Sequence, residues 1–414
     1  MAKVLITGIG AITPIGNDAN STFASAIAGK SGIKQPDGKM HEWLPNLVVA
    51  PSENPQSLLP PAFAGLDRAA QFGLVAALEA MQQANIETPT ADARRFGVFV
   101  GIGFGGAQTV DGVYDRLIAA ASASKPLPVL HPLSVPRMMA NAPAAALSMH
   151  FGLKGPSNTY SVACASSAIA LGEAFRAIKH GYLDAAIVVG AEAMLTPGAM
   201  LAWNALRVMA KPDATDPATS CKPFSANRCG FVMGEGAGAI VLEAEHRAIT
   251  RGANVIAEVA GYGYSSDAAH LTAPSSEEQI VAMEMALAEA GLHASDIQYL
   301  NAHGTATQAG DITETDSIKA TFGAHTANLP VSSTKALHGH LIGASGIVEF
   351  LISVMAMNQG ILPPTAHLSE PDAACDLDFI PNTARNTGAL SAVMSNSFAF
   401  GGSNASLIAR KYSA

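Results

Sequence analysis

The sequence predicts an α/β protein built from two similar halves, and three observations carry that prediction. Short runs rich in Val and Ile end in glycine and alternate with longer Ala-rich stretches, the pattern of buried strands beneath covering helices. The same alternation starts again after residue 250. A length of 414 residues gives two or three structural units at about 150 residues each, with a large core.

Taken in order, Val4 to Ile9, Gly97 to Ile102, Ala185 to Val189 and Ala239 to Leu242 read as strands of the first half. Gly8 and Gly10 invite a dinucleotide-binding reading. A third glycine is missing, however, and Pro14 followed by Gly16 breaks the helix entry such a site needs. A strand running into a tight turn is the better reading. In the second half Val255 to Tyr262, Ile297 to Leu300, Leu329 to Ser332 and Met394 to Phe398 repeat the theme. Glu42 to Pro61 and Pro126 to Pro136, both rich in proline, read as loops packed over the core. No low-complexity linker divides the chain, and the halves are placed at residues 1–250 and 251–414.

Apolar residues make up 49% of the chain and charged residues 14%, against about 25% charged in typical soluble domains. So few charges predict a broad subunit interface. The net charge of −9 opposes any footprint on a nucleic-acid backbone. The four cysteines, Cys164, Cys221, Cys229 and Cys375, form no C-x-x-C pair, so neither a disulfide framework nor a zinc-cysteine site is expected. No export signal opens the chain, and the expected location is the cytoplasm. No membrane-spanning helix is expected either, since even Phe350 to Leu362 is interrupted by Asn358, Gln359 and Gly360.

Ser161 to Ala168 passes from a β-favouring run into small helix formers, which sets Cys164 at a strand-to-helix turn. A thiol there faces the positive end of a helix dipole, beside backbone amides able to hold an oxyanion. From this segment alone, an activated nucleophile and a small buried core cysteine are equally good readings. Farther on, Asn301 to Thr307 puts His303 directly after a strand, and Ser332 to His340 puts Lys335, His338 and His340 after another. His338-Gly339-His340 has no third histidine or carboxylate nearby in a matching motif, which argues against a catalytic metal. His338 reads as a supporting or solvent-side residue.

The motifs VACASSA (162–168), NAHGTAT (301–307), GDITE (310–314), SSTKALHGHLIGASG (332–346) and NSFAFGGSN (396–404) occur in this order and at these separations. In this the chain resembles the β-ketoacyl-[acyl-carrier-protein] synthases of the thiolase superfamily, nearest to the synthase II type, from residue 3 to residue 411. The resemblance implies a thiolase-like five-layered α/β/α/β/α fold assembled as a dimer. The first half would carry the nucleophilic cysteine, and the second the two histidines and the gating loop. It further implies that Cys164 accepts the acyl group and that His303 and His340 form the decarboxylation pair. Lys335 would be a positioning residue with Glu349 as its carboxylate partner. Phe398, Phe400, Gly401 and Gly402 match the gating loop, and the backbone amides of Cys164 and Phe400 the oxyanion hole. The implied reaction is a decarboxylative Claisen condensation of malonyl-carrier with the acyl group on Cys164, lengthening a fatty-acyl or related chain by two carbons. Decarboxylation leaves an enolate, and two imidazole N–H donors stabilise its oxygen where the charge develops. No tightly bound organic cofactor is implied, because phosphopantetheine arrives on the acyl carrier protein. Asn301, Glu349, Ser395 and Asn396 match positions near which some members hold a structural monovalent cation.

Two departures stand out. The family usually has glycine where this chain has Ala399, which would resist positive φ and reset the gate. The basic cluster usual before Leu66 and Asp67 is missing, and Arg68 is the one basic residue between His41 and Ala93. Docking of the acidic carrier would then fall to Arg68, Arg137, Arg207 and Lys211, or to a partner subunit. The alternative function is a dedicated ketosynthase of a polyketide or aryl polyene pathway, as a homodimer or paired with a related ketosynthase-like subunit. A silent chain-length subunit is disfavoured because Cys164, His303 and His340 occur together. A biosynthetic thiolase is disfavoured because Asn396 to Asn404 holds no second cysteine.

Overall fold

A computed structural model describes residues 2–88 and 90–413 of the chain. Its main strands are β1 (Val4–Ile12), β2 (Phe96–Gly101), β3 (Ser157–Tyr160), β4 (Ala185–Glu192), β5 (Gly236–Ala244), β6 (Ala257–Ser266), β7 (Leu300–Asn301), β8 (Val331–Ser332), β9 (Ala392–Phe398) and β10 (Ser403–Arg410). They join edge to edge in the order β8-β7-β9-β10-β6-β1-β5-β4-β2-β3. Read outward from the β1–β6 seam, one side runs β1-β5-β4-β2-β3 and the other β6-β10-β9-β7-β8. Each label on the second side is the matching label on the first plus five. Strand senses repeat as well, with two antiparallel pairings next to the seam and two parallel pairings beyond them on each side. The seam itself is short, pairing Val4 to Ile6 with Val259 to Ala257.

Helices complete five layers. On the outside, α1 (Arg68–Gln83) lies on β1, β4 and β5, while α3 (Ser276–Ala290), with α4 (Gln308–Phe322) beside it, lies on β6 and β10. Between the half-sheets, α2 (Ser166–Lys179) and α5 (Ser345–Gln359) touch each other and strands of both halves. A repeated Gly-x-Gly lets the outer helices approach. A Cβ at Gly8 or Gly10 would lie 2.1 Å from the carbonyl oxygen of Ala80 or Ala76 on α1. At Gly261 or Gly263 it would lie 2.1 or 1.8 Å from that of Ala286 or Ala282 on α3. These glycines therefore sit inside strands, and β1 runs past the expected turn to Ile12 before Thr13 and Gly16 close a tight one.

One helix is longer than its sequence suggests, and both proline-rich segments depart from the expectation of loops packed over the core. Ile342–Gln359 is long and apolar enough to cross a membrane, with mean hydropathy 1.3 over 18 residues, yet 89% of it is buried as a core helix between the half-sheets. Asn358 and Gln359 fall at its last turn and do not shorten it. Within the first proline-rich segment, Val49–Ala50 pairs with Met233–Gly234 as a short strand. The second segment does not pack over the core: Leu127 is 72% and Val129 93% exposed, and Ser134–Met138 is a short helix. Proline blocks ladder hydrogen bonds, but it does not dictate which way neighbouring apolar side chains point.

Candidate active site

Two matched turns position Cys164 and His340. After β3 the chain enters a tight turn, Ala163–Ala165, that leads into α2. After β8 and His340 it enters another, Ile342–Ala344, that leads into α5. The first residue of each turn has positive φ, 47° at Ala163 and 42° at Ile342. In each, the serine that opens the helix accepts the backbone N–H just before the turn, Val162 to Ser166 at 2.8 Å and Leu341 to Ser345 at 2.9 Å. Cys164 and Gly343 thus hold matching positions, and one of them carries a thiol.

Cys164 Sγ lies 3.0 Å from His340 Nε2, and the backbone N–H groups of Phe400 and of Cys164 itself face it. Burial nevertheless pushes the thiol up to about 11. At 4% exposure, lost hydration raises the thiol by more than the N–H groups of Phe400 and Cys164 and the charge of Lys335 lower it.

The Ile342 N–H donates to His340 Nδ1 at 3.2 Å, and the Ser345 hydroxyl lies 2.8 Å from the same nitrogen. A backbone N–H can only donate, so Nδ1 accepts, and the proton of the neutral ring sits on Nε2, facing the sulfur. Burial first, and then Lys335, holds both His340 and His303 well below the usual histidine value. The two rings stand 5.4 Å apart at 81°. Glu314 clamps the backbone of His303, accepting the N–H groups of His303 at 2.8 Å and Gly304 at 2.7 Å. Ligand atoms of Cys164, His303 and His340 fall within 4.8 Å of one another, a spacing a metal ion could bridge. An N–H on His340 where a metal would need a lone pair suits the cluster to stabilising anions instead.

Lys335 and Glu349 are both buried completely, with Nζ 2.5 Å from Oε1. Burial pushes Glu349 up to about 7 even with this partner. Lys335→Ala is expected to lower unfolding free energy by about 3–5 kcal/mol in chemical denaturation, because it strands a buried carboxylate. Pairing it with Glu349→Gln should recover part of that loss, and a single variant as stable as the parent would show the ion pair to be dispensable. His338 is buried rather than solvent-side, with Nδ1 2.7 Å from the Gly339 carbonyl and Nε2 2.9 Å from Thr334 Oγ1.

A cavity of about 350 Å³ runs from Cys164, His303 and His340 past Thr305, Thr307, Phe398 and Phe400 to the exposed Arg207. Behind the thiol lies an apolar cluster that includes Met194, Met200, Phe231 and Met233. Phe398 meets the edge of His303 at 6.1 Å, and Phe400 stacks on Trp203 at 6.3 Å.

The profile described as "Beta-ketoacyl synthase, N-terminal domain" matches residues 1–248, and that described as "Beta-ketoacyl synthase, C-terminal domain" matches residues 256–369. The chain belongs to the beta-ketoacyl synthase family. This ketosynthase is 39% identical over 419 residues to 3-oxoacyl-[acyl-carrier-protein] synthase 2 of Staphylococcus aureus (strain COL), covering 100% of the chain and 99% of that relative. Two solved structures cover it fully and are fully covered by it. One is AntDE:AntF, a type II PKS acyl-carrier protein in complex with its ketosynthase bound to the hexaketide, with a TM-score of 0.91 and 26% identity. The other is the ishigamide ketosynthase/chain length factor, with a TM-score of 0.91 and 29% identity.

In the 398–402 loop of this ketosynthase the left-handed backbone falls on Gly401 and Gly402, with φ 88° and 78°, so Ala399 carries no such strain. The loop is tied down by Gly401 N–H to the Leu271 carbonyl and Asp267 N–H to the Gly402 carbonyl, both 2.8 Å. Of the residues expected to dock a carrier, Arg207 and Lys211 are exposed and Arg137 is half-buried. Arg68 is not free. Its guanidinium donates to Glu235 at 2.6 and 3.0 Å and to the Ser52 carbonyl at 2.9 Å, and it lies over the Phe72 ring. Glu235 lies far along the chain, and no local pattern announces that pairing. Sequence reasoning also gave no role to Glu314, Ser345 or Trp203. The GDITE motif contains Glu314, and an acid in the first turns of a helix that follows a post-strand histidine was the signal for a backbone clamp.

Proposed function

We propose that the chain is a 3-oxoacyl-[acyl-carrier-protein] synthase that condenses malonyl-carrier with an acyl group held on Cys164. The observation that carries this is the Cys164 sulfur 3.0 Å from a buried His340 nitrogen whose tautomer is set from behind, with His303 beside it. In the first half-reaction the sulfur attacks the thioester carbonyl of an acyl-phosphopantetheine. Charge on the carbonyl oxygen goes to the N–H groups of Cys164 and Phe400, and the pantetheine sulfur leaves with the thiol's proton. In the second, the bond between the malonyl carboxylate and its methylene breaks and carbon dioxide departs. The electron pair enters an enolate whose oxygen meets the N–H groups of His303 and His340. The methylene carbon then attacks the acyl-cysteine, and the tetrahedral intermediate collapses to a 3-oxoacyl carrier thioester and the freed sulfur of Cys164. Mass spectrometry after incubation with acyl- and malonyl-carrier tests this: a 3-oxoacyl carrier longer by two carbons is expected, and recovery of unextended acyl groups alone would sink it.

A dedicated polyketide or polyene ketosynthase is the second reading, favoured by the thin basic surface left once Arg68 is paired. Either way the partner is an acyl carrier protein, and the assembly is a dimer of this chain or a pair with a chain-length-factor-like subunit. The uncovered edge strand β3 and the exposed Ile118, Leu127, Val129, Leu133 and Val135 support a second subunit. Free rather than bridged cysteines fit a cytoplasmic location. A monovalent cation also fits: Asn301 Oδ1, Ser395 Oγ and Glu349 Oε2 are buried oxygens without hydrogen-bond partners, and Asn301 and Ser395 pair across β7 and β9. Asn396 Oδ1 is already engaged by Ser406 at 2.8 Å.

Arg207→Glu is expected to lower kcat/KM for acyl-carrier roughly tenfold at ~0.05 M salt and less at ~0.3 M, with kcat unchanged, because rim charges act on encounter. Unaltered kcat/KM at both salt levels would remove Arg207 from the docking surface.

A further inference from the structure

Glu192 ends β4 as a fully buried carboxylate, and no cation pairs with it among the described residues. Burial pushes it up to about 7 against the backbone donors around it. Its Oε2 accepts the Gly103 N–H at 2.8 Å and the Gly343 N–H at 3.1 Å, and its Oε1 has no partner. An unpaired carboxylate in such a place costs stability, so its position calls for a reason.

The internal repeat supplies one. Gly343 matches Cys164, as the paired turns show. Gly103 stands two residues beyond the end of β2, as His303 stands two residues beyond the end of β7. In the first half's turn, the second N–H belongs to Cys164 and faces the reacting centre. In the second half's turn, the corresponding N–H is taken by Glu192 Oε2. A side-chain oxygen thus fills the second half's copy of the anion site, held by one N–H from each half of the chain. The peptide that it grips begins at Ile342, the residue whose own N–H fixes His340 in the Nε2–H tautomer.

We infer that Glu192 is a positioning residue for His340: by filling the duplicate anion site it holds the Ile342–Ala344 turn and, through the Ile342 N–H, the direction in which the imidazole donates. The inference rests on the proposed role of His340 as a donor to the enolate. It depends on reach rather than charge, and two variants separate these. Glu192→Gln keeps an oxygen at the same distance and loses the charge, while Glu192→Asp keeps the charge and withdraws the oxygen by one methylene.

Decarboxylation of malonyl-carrier and acyl transfer to Cys164 are to be measured separately, together with the ¹⁵N shifts of the His340 ring. For Glu192→Asp, decarboxylation should fall ~10-fold or more and acyl transfer should stay within about twofold, as expected when a donor is misaimed. The His340 nitrogen shifts should move in the same variant. Glu192→Gln should match the parent in all three. Wild-type decarboxylation by Glu192→Asp, its loss in Glu192→Gln, or equal loss of both half-reactions in Glu192→Asp would overturn the inference. If Glu192→Asp does not fold, the Gln variant decides alone: parent-like rates and shifts support reach, and lost decarboxylation refutes it. A parent protein that neither decarboxylates nor condenses would instead overturn the proposed function, and the His340 shifts would still report whether Glu192 sets the ring.

Discussion

Cys164→Ala is expected to abolish condensation while malonyl-carrier decarboxylation remains measurable. The substitution removes the sulfur on which the proposed reaction holds the acyl group, yet it leaves His303, His340 and their supports in place. Cys221 and Cys375 are buried and Cys229 is exposed at the cavity wall, so an acyl label on any of them would be a different reaction. In the parent protein the acyl group should appear on the Cys164 peptide alone. Complete loss of carbon dioxide release in a folded Cys164→Ala protein would make the sulfur a participant in both half-reactions.

His303→Ala and His340→Ala should each lower condensation by at least ~10²-fold, the loss typical of removing one donor from a developing oxyanion. Acyl transfer to Cys164 should suffer less, because in the proposed reaction its oxyanion meets backbone amides rather than the histidines. Both rings lie well below the usual histidine value. Each is therefore neutral throughout the physiological range and gains a proton only under acid conditions. Condensation should show no histidine titration between about pH 6 and 8. A rate that changed with an apparent pKa near that of free histidine, with the ¹⁵N shifts of the His303 or His340 ring following the same curve, would contradict neutral donors.

Much of this site was legible because its residues sit directly after strands, where short motifs keep their meaning without distant context. Cys164, His303 and Lys335 lie within a few residues of a strand's end, His340 follows a strand at greater distance, and ligand atoms of Cys164, His303 and His340 fall within 4.8 Å of one another. Other features depend on what arrives from far along the chain. Arg68 looks like a surface cation until Glu235 reaches it, and His338 looks peripheral until its neighbours bury it. The thiol's high pKa reflects enclosure by both halves, which no local pattern carries. Gly8 and Gly10 signal a turn when read singly. Set beside Gly261 and Gly263 they mark close helix contacts, a role visible only once the alanines of α1 and α3 are placed against them.

The central helix α5 also has a history within each synthesis of the chain. It precedes β9 and β10 in sequence, yet β9 is among the strands that cover it. While β9 and β10 are still in the ribosome, a segment with the length and hydropathy of a membrane span has emerged without its lid. A nascent chain in that state offers a sticky apolar surface to other nascent chains, to chaperones and to the machinery that sorts membrane proteins. Truncations that remove β10 or both β9 and β10 should therefore be recovered with chaperones or in aggregates rather than as weakly active enzyme.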